Sequence, residues 1–97
     1  MNLKKNATAG TLESSDIKIM IEPADKITIH LESSVIAQYG QAIKNTIEEV
    51  LRNLEVTGAT VVAVDKGALD CTIRSRVETA LFRAAQVTED LPWRTKL

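Results

Sequence analysis

Two adjacent hydroxyls, Ser14 and Ser15, stand between two carboxylates, Glu13 and Asp16, in the small polar stretch Ala9-Gly10-Thr11-Leu12-Glu13-Ser14-Ser15-Asp16. A serine becomes a nucleophile only with a general base in hydrogen-bond reach and donors for the oxyanion. The one histidine, His30, falls on the polar side of an alternating run and is expected in solvent, and no G-x-S-x-G turn surrounds the serines. Cys71 is the alternative nucleophile or acyl-bearing thiol. It lies beside an apolar helical stripe, where a free cysteine acts as a small hydrophobe, and no lysine or histidine adjoins it to activate the thiol. Asp65-Lys66-Gly67 lacks the spacing of a phosphate-binding loop and reads as strand end, turn and helix cap. Arg74, Arg76 and Arg83 give one helix a basic outer surface, solvated by default, with phosphates or an acidic partner as the sharper option. Trp93, in an unpatterned tail, offers an anchor for a partner or for this domain's own surface. What is left is a serine pair with nothing nearby to activate it. That suits a hydroxyl acted upon by another enzyme, and phosphorylation of a Ser-Ser-Asp loop meets the same description.

The elements that must position these residues follow from the hydrophobic period. Residues 1–8 read as polar and frayed at the very end, and Ala7 to Leu12 as a short edge strand. Ile17, Ile19 and Ile21 alternate with polar neighbours, as do Ile27, Ile29 and Leu31 beyond Pro23-Ala24-Asp25-Lys26. Two such runs across a short connection predict an antiparallel pair with one apolar face. Ser33 or Ser34 is placed to cap the helix that follows. Its stripe runs through Ile36, Tyr39, Ile43, Ile47, Val50 and Leu54, widened by Ala42 and Leu51. Thr60-Val61-Val62-Ala63-Val64 is a β-branched run, the mark of a strand that is central or covered on both faces. Leu69, Ile73, Val77, Ala80, Leu81 and Ala84 keep a helical period, predicting a second helix over roughly 68–86, with Asp65 as its cap and Asp70 in its first turn.

The order is (β)ββαβα. It predicts an α+β two-layer sandwich, a mostly antiparallel sheet of three to four strands with two helices on one face. Residues 1–86 form a single domain and 87–97 a flexible C-terminal tail. The 97 residues carry 12 Lys and Arg against 13 Asp and Glu, so no broad field draws the chain to nucleic acid or to an anionic membrane. One cysteine makes no internal disulfide, and with one histidine it makes no Cys–His metal site. No charged leader runs into an apolar core, and no apolar run approaches a bilayer span, so the chain is expected in the cytoplasm.

Three stretches, AGTLESSD at 9–16, SSV..QYG.AI at 33–43 and DKGALDC.IR.R at 65–76, together with the alternating strands, resemble the acyl carrier (gamma) subunit of citrate lyase. The resemblance implies a non-catalytic carrier whose Ser14 bears 2'-(5''-phosphoribosyl)-3'-dephospho-coenzyme A through a phosphodiester, installed by a dedicated transferase. The terminal thiol of that arm holds an acetyl thioester. In the family the alpha subunit exchanges acetyl for citryl, and the beta subunit cleaves the citryl thioester to oxaloacetate and regenerates the acetyl form. No metal, nucleic acid or membrane is implied. Ordinary acyl carrier proteins place their serine in a D-S-L motif at a helix start, which does not occur here. The alternatives are the carrier of citramalate lyase or malonate decarboxylase, a small ligand-binding α+β module without catalysis, and a free-standing serine or cysteine enzyme.

Overall fold

The computed structural model describes residues 1–34 and 36–86, the side chains of 36 and 37 excepted. The tail expected over 87–97, with Trp93, lies outside the described residues. The elements are β1 (Ala7–Ala9), β2 (Ile17–Pro23), β3 (Ile27–Ser33), α1 (Ile36–Asn53), β4 (Ala59–Asp65) and α2 (Asp70–Ala84). They form the two-layer α+β sandwich in the expected order, around one sheet ordered β1-β2-β4-β3. The inner face carries Ile17, Ile19 and Ile21 from β2 and Ala59, Val61 and Ala63 from β4, all essentially buried. Both helices press their stripes onto it: Ile43, Ile47, Val50 and Leu51 from α1, and Ile73, Val77, Ala80, Leu81 and Ala84 from α2. Each fully buried Ile, Leu or Val here contributes roughly 1.5–3 kcal/mol.

Pairing departs from the sequence reading at one place. β2 and β3 do not form a hairpin, because β4 lies between them. β4 is antiparallel to β2, with Ile17 opposite Asp65 and Ile21 opposite Val61, and parallel to β3, with Ser33 opposite Asp65. The period-2 pattern records which face is apolar but not which neighbour a strand takes. The β-branched run of β4 marks it as central in the sheet. It is covered on one face only, since its buried and half-buried residues alternate.

Some side chains also leave the positions that their period assigns. Tyr39 and Leu69 extend the helical stripes in sequence but are 55% and 70% exposed. Cys71 is exposed on the first turn of α2, not a buried hydrophobe. The very N-terminal end, expected to fray, does not: Met1 and Leu3 pack against the core, and the Lys4 and Lys5 amides donate to the Ala84 carbonyl at the end of α2. α1 ends in a left-handed residue, Glu55 (φ 57°), with Val56 N–H bonding Leu51 O and Glu55 N–H bonding Arg52 O. This is a Schellman ending made without glycine, and both Val56 and Leu51 are buried in the core.

Candidate functional site

The serine loop, residues 10–16, connects β1 to β2 at the end of the sheet where β4 and β3 finish, because Ile17, Asp65 and Ser33 share one row. Its base is Gly10, at φ 89°, a conformation that L side chains rarely adopt; a Cβ there would sit 1.8 Å from the Ile17 carbonyl oxygen. At the far side the Asp16 N–H donates to Glu13 O at 3.2 Å, closing a tight turn with Ser14 and Ser15 in its centre. Ser15 is left-handed (φ 65°), an unusual place for a serine. The strain is held by the neighbouring chain: Ser15 N–H donates to Lys66 O and Lys66 N–H donates to Asp16 O, each at 2.8 Å. These bonds carry the β2–β4 ladder one step past the sheet.

Asp16 is the anchor of the loop. It is only 9% exposed. Its Oδ1 accepts from its neighbour's amide, Ile17 N–H (2.7 Å), and its Oδ2 from Thr11 Oγ1 (2.7 Å) and Thr11 N–H (3.2 Å). Arg76 closes the set from α2 with a two-pronged pair, Nε to Oδ1 and Nη2 to Oδ2, each at 3.0 Å. Burial alone would raise the carboxyl's pKa, but the bonds from Arg76, Thr11 and the Ile17 amide, with the guanidinium charge, outweigh it and hold Asp16 at about 2. The carboxylate read from sequence as a mere flank is thus what fixes the loop, across 60 residues of chain.

What the clamp leaves outward is the serine pair. Ser14 and Ser15 are both exposed, and among the described residues neither hydroxyl has a hydrogen-bond partner. His30 is exposed on β3 and belongs to the open face of the sheet, since it stands opposite Val62 while the buried Val61 and Ala63 face the core. Cys71 is on α2. Neither is joined to the serines by any hydrogen bond. Among the described residues no three His, Cys, Asp or Glu side chains are grouped to hold a metal. No described helix is long and apolar enough to cross a membrane.

The three arginines are engaged within the fold. Arg76 holds Asp16, and Arg83 donates to the Thr8 carbonyl of β1 at 2.8 Å. Arg74 bridges Asp70 (2.8 Å) and Glu49 of α1 (3.0 Å), and its hydrogen bonds hold both carboxyls below their usual range. Asp70 also accepts from Thr46 Oγ1 at 2.8 Å, a second tie between the helices. Asp65, expected as the cap of α2, lies one turn earlier in function: it accepts from Ala68 N–H and from Ser33 Oγ, bracing the β4–α2 loop against β3. The helix itself starts at Asp70, with Leu69 at the N-cap position and no side-chain cap.

The stretches 9–16 and 65–76, far apart in sequence, are therefore one structural unit built around an exposed serine. The acyl-carrier family model described as malonate decarboxylase delta subunit (MdcD) matches residues 4–84. The citrate lyase acyl carrier protein of Streptococcus mutans is 57% identical over 89 residues, covering 90% of this chain and 87% of that protein. The chain belongs to the citrate lyase acyl carrier protein family. Another relative of that name, from Haemophilus influenzae, is 44% identical over the full length of both chains. One chain of the crystal structure of a Pseudomonas malonate decarboxylase hetero-tetramer in complex with malonate shares the fold, with a TM-score of 0.73 at 19% identity and 84% of each chain covered. As a citrate lyase acyl carrier protein family member, this chain is a carrier subunit and not itself a catalyst, and its serine loop is to be read in those terms.

Proposed function

We propose that this protein is the cytoplasmic acyl carrier subunit of a citrate lyase, with Ser14 as the attachment point of a covalent phosphoribosyl-dephospho-coenzyme A arm. The observation that carries the reading is the presentation of Ser14. It occupies the tip of a turn whose two ends are fixed, by Gly10 against Ile17 and by Asp16 against Arg76, while its hydroxyl is exposed and has no hydrogen-bond partner among the described residues. The residues present fit such a group: a bare hydroxyl accepts a phosphodiester, and the exposed Lys66 beside the loop suits the added negative charge. When bound, the arm supplies a terminal thiol able to hold acetyl and citryl as thioesters.

The chain's own part is mechanical. Attachment needs the transferase to take the hydroxyl proton, since no described residue is placed to do so. It also needs the transferase to present the phosphoribosyl group as an activated phosphoanhydride, whose P–O bond breaks and whose outer phosphates leave as the serine oxygen bonds to phosphorus. The rigid base then sets where the arm begins, so that a tethered acyl group is presented at high effective concentration to the alpha and beta subunits in turn. The 57% identity to a citrate lyase carrier favours citrate lyase over citramalate lyase or malonate decarboxylase as the host complex.

Intact mass spectrometry of the protein purified with its complex tests the assignment. One added phosphoribosyl-dephospho-coenzyme A is expected on the native chain and none on Ser14→Ala. An increment that persists in Ser14→Ala would move the site to Ser15, and an unmodified chain in an active complex would sink the carrier reading.

A further inference from the structure

Tyr39 and Leu69, both left in solvent, line one groove of about 410 Å³ between the N-terminal half of α1 and the β4–α2 loop. Ile43 and Ala68 line the same groove, and Asp65 and Asp70 also border it. An aromatic ring and a leucine exposed together, where the helical period would have buried both, amount to an apolar surface without a partner. The groove adjoins the serine loop. Its wall begins at Asp65 and Gly67, and Lys66 between them is the residue whose backbone bonds Ser15 and Asp16. Between loop and groove the chain is low, because Gly67 carries no side chain and nothing lies within 4 Å of where a Cβ would be.

We propose that this groove binds the adenine ring of the arm carried on Ser14, held between Tyr39 and Leu69. The inference rests on the Ser14 attachment reading and goes beyond it. The chemistry of the groove selects among the parts of the arm. Among the described residues no lysine or arginine lines the groove, so the diphosphate gains no partner there and stays outside, whereas the exposed Lys66 follows the groove's rim in sequence and is bonded through its backbone to the serine loop. The pantetheine portion lies beyond the diphosphate and would lose many rotors on binding. Adenine is rigid, planar and uncharged, and it is joined to the phosphodiester through sugars alone. Its faces match a tyrosine ring and an aliphatic side chain. Its exocyclic amine can donate to Asp70, whose two oxygens each accept one bond, from Thr46 and from Arg74, and keep a further lone pair. Docking the base there would anchor the root of the arm and leave the pantetheine free to travel.

The test compares native-modified protein with the unmodified chain by NMR, with intact mass recorded on each sample. Expected are upfield shifts of adenine H2 and H8, cross-relaxation from them to the Leu69 methyls and the Tyr39 ring, and loss of both in Tyr39→Ala and in Leu69→Ser. Both sites are exposed, and the mass increment on Ser14 should persist in each variant. A chain with its mass increment on Ser14 but with Tyr39 and Leu69 at their unmodified positions would overturn the groove assignment and leave the attachment standing. Contacts from the pantetheine methyls in place of adenine would overturn it as well. An increment absent from Ser14 would remove the attachment reading, and the groove assignment with it.

Discussion

Asp16 and Ser14 divide the candidate site between them: among the described residues the Asp16 carboxylate takes five hydrogen bonds and the Ser14 hydroxyl none. Replacing the anchor should therefore be felt in stability, whereas replacing the tip should not. Asp16→Asn keeps the shape but removes the charge opposite Arg76. It is expected to cost about 1–3 kcal/mol, the range for breaking charge-assisted bonds to a buried group, read as a lower urea midpoint. Ser14→Ala should leave that midpoint unchanged within about 0.5 kcal/mol, as for other exposed substitutions away from caps and the core. Cys71 offers a further contrast. Its exposure on α2 makes it reachable, yet the carrier reading gives it no part in chemistry. Cys71→Ala is expected to retain full lyase turnover in the reconstituted complex; a large loss would mean that the working thiol belongs to the chain and not to the arm.

At the level of elements, the serine loop depends on a backbone that only glycine tolerates at its base. Gly10→Ala would place a methyl on the Ile17 carbonyl at positive φ, and it should destabilise the fold by at least about 1–2 kcal/mol in thermal or urea melts. Both helices, all four strands and the exposed turn were legible in the sequence, because period and turn composition are local signals. The β2–β4–β3 order was not, since alternation is silent about neighbours. The anchoring of the site was equally hidden. Asp16 with Arg76, and Ser15 with Lys66, are contacts between distant stretches, and nothing within either stretch announces the other. Arg76 read as one of three surface cations, and only its two-pronged geometry separates it from a solvated side chain. Tyr39 and Leu69 mark the limit of periodicity, which assigns a face to a residue without knowing where the opposing layer stops.

Across the whole molecule, the paired carboxylates set an acid limit. Asp16, Glu49 and Asp70 all ionise more readily in the fold than in the open chain. A depressed pKa means that the stabilisation is present in full above the unfolded value and is lost as pH falls through the folded one. For Asp16 that window runs from 3.8 down to about 2, and the loss amounts to about 2 kcal/mol across it. Urea midpoints followed from pH 6 to pH 2 should fall steeply below pH 4, and less steeply in Asp16→Asn. Attachment at Ser14 should leave the core as it is, with backbone NMR shifts confined to residues near the loop and groove; changes throughout α2 would contradict this. The placement of β4 has a temporal meaning as well. Translation delivers β2 and β3 before the strand that must lie between them, and it delivers Lys66 and Arg76 last among the supports of the serine loop. A nascent chain still short of residue 76 has the serine but not its presentation. A transferase that recognises the loop's shape would therefore modify only chains that have been extended past Arg76 and folded, and a fragment ending at residue 58 should emerge from the same reaction unmodified.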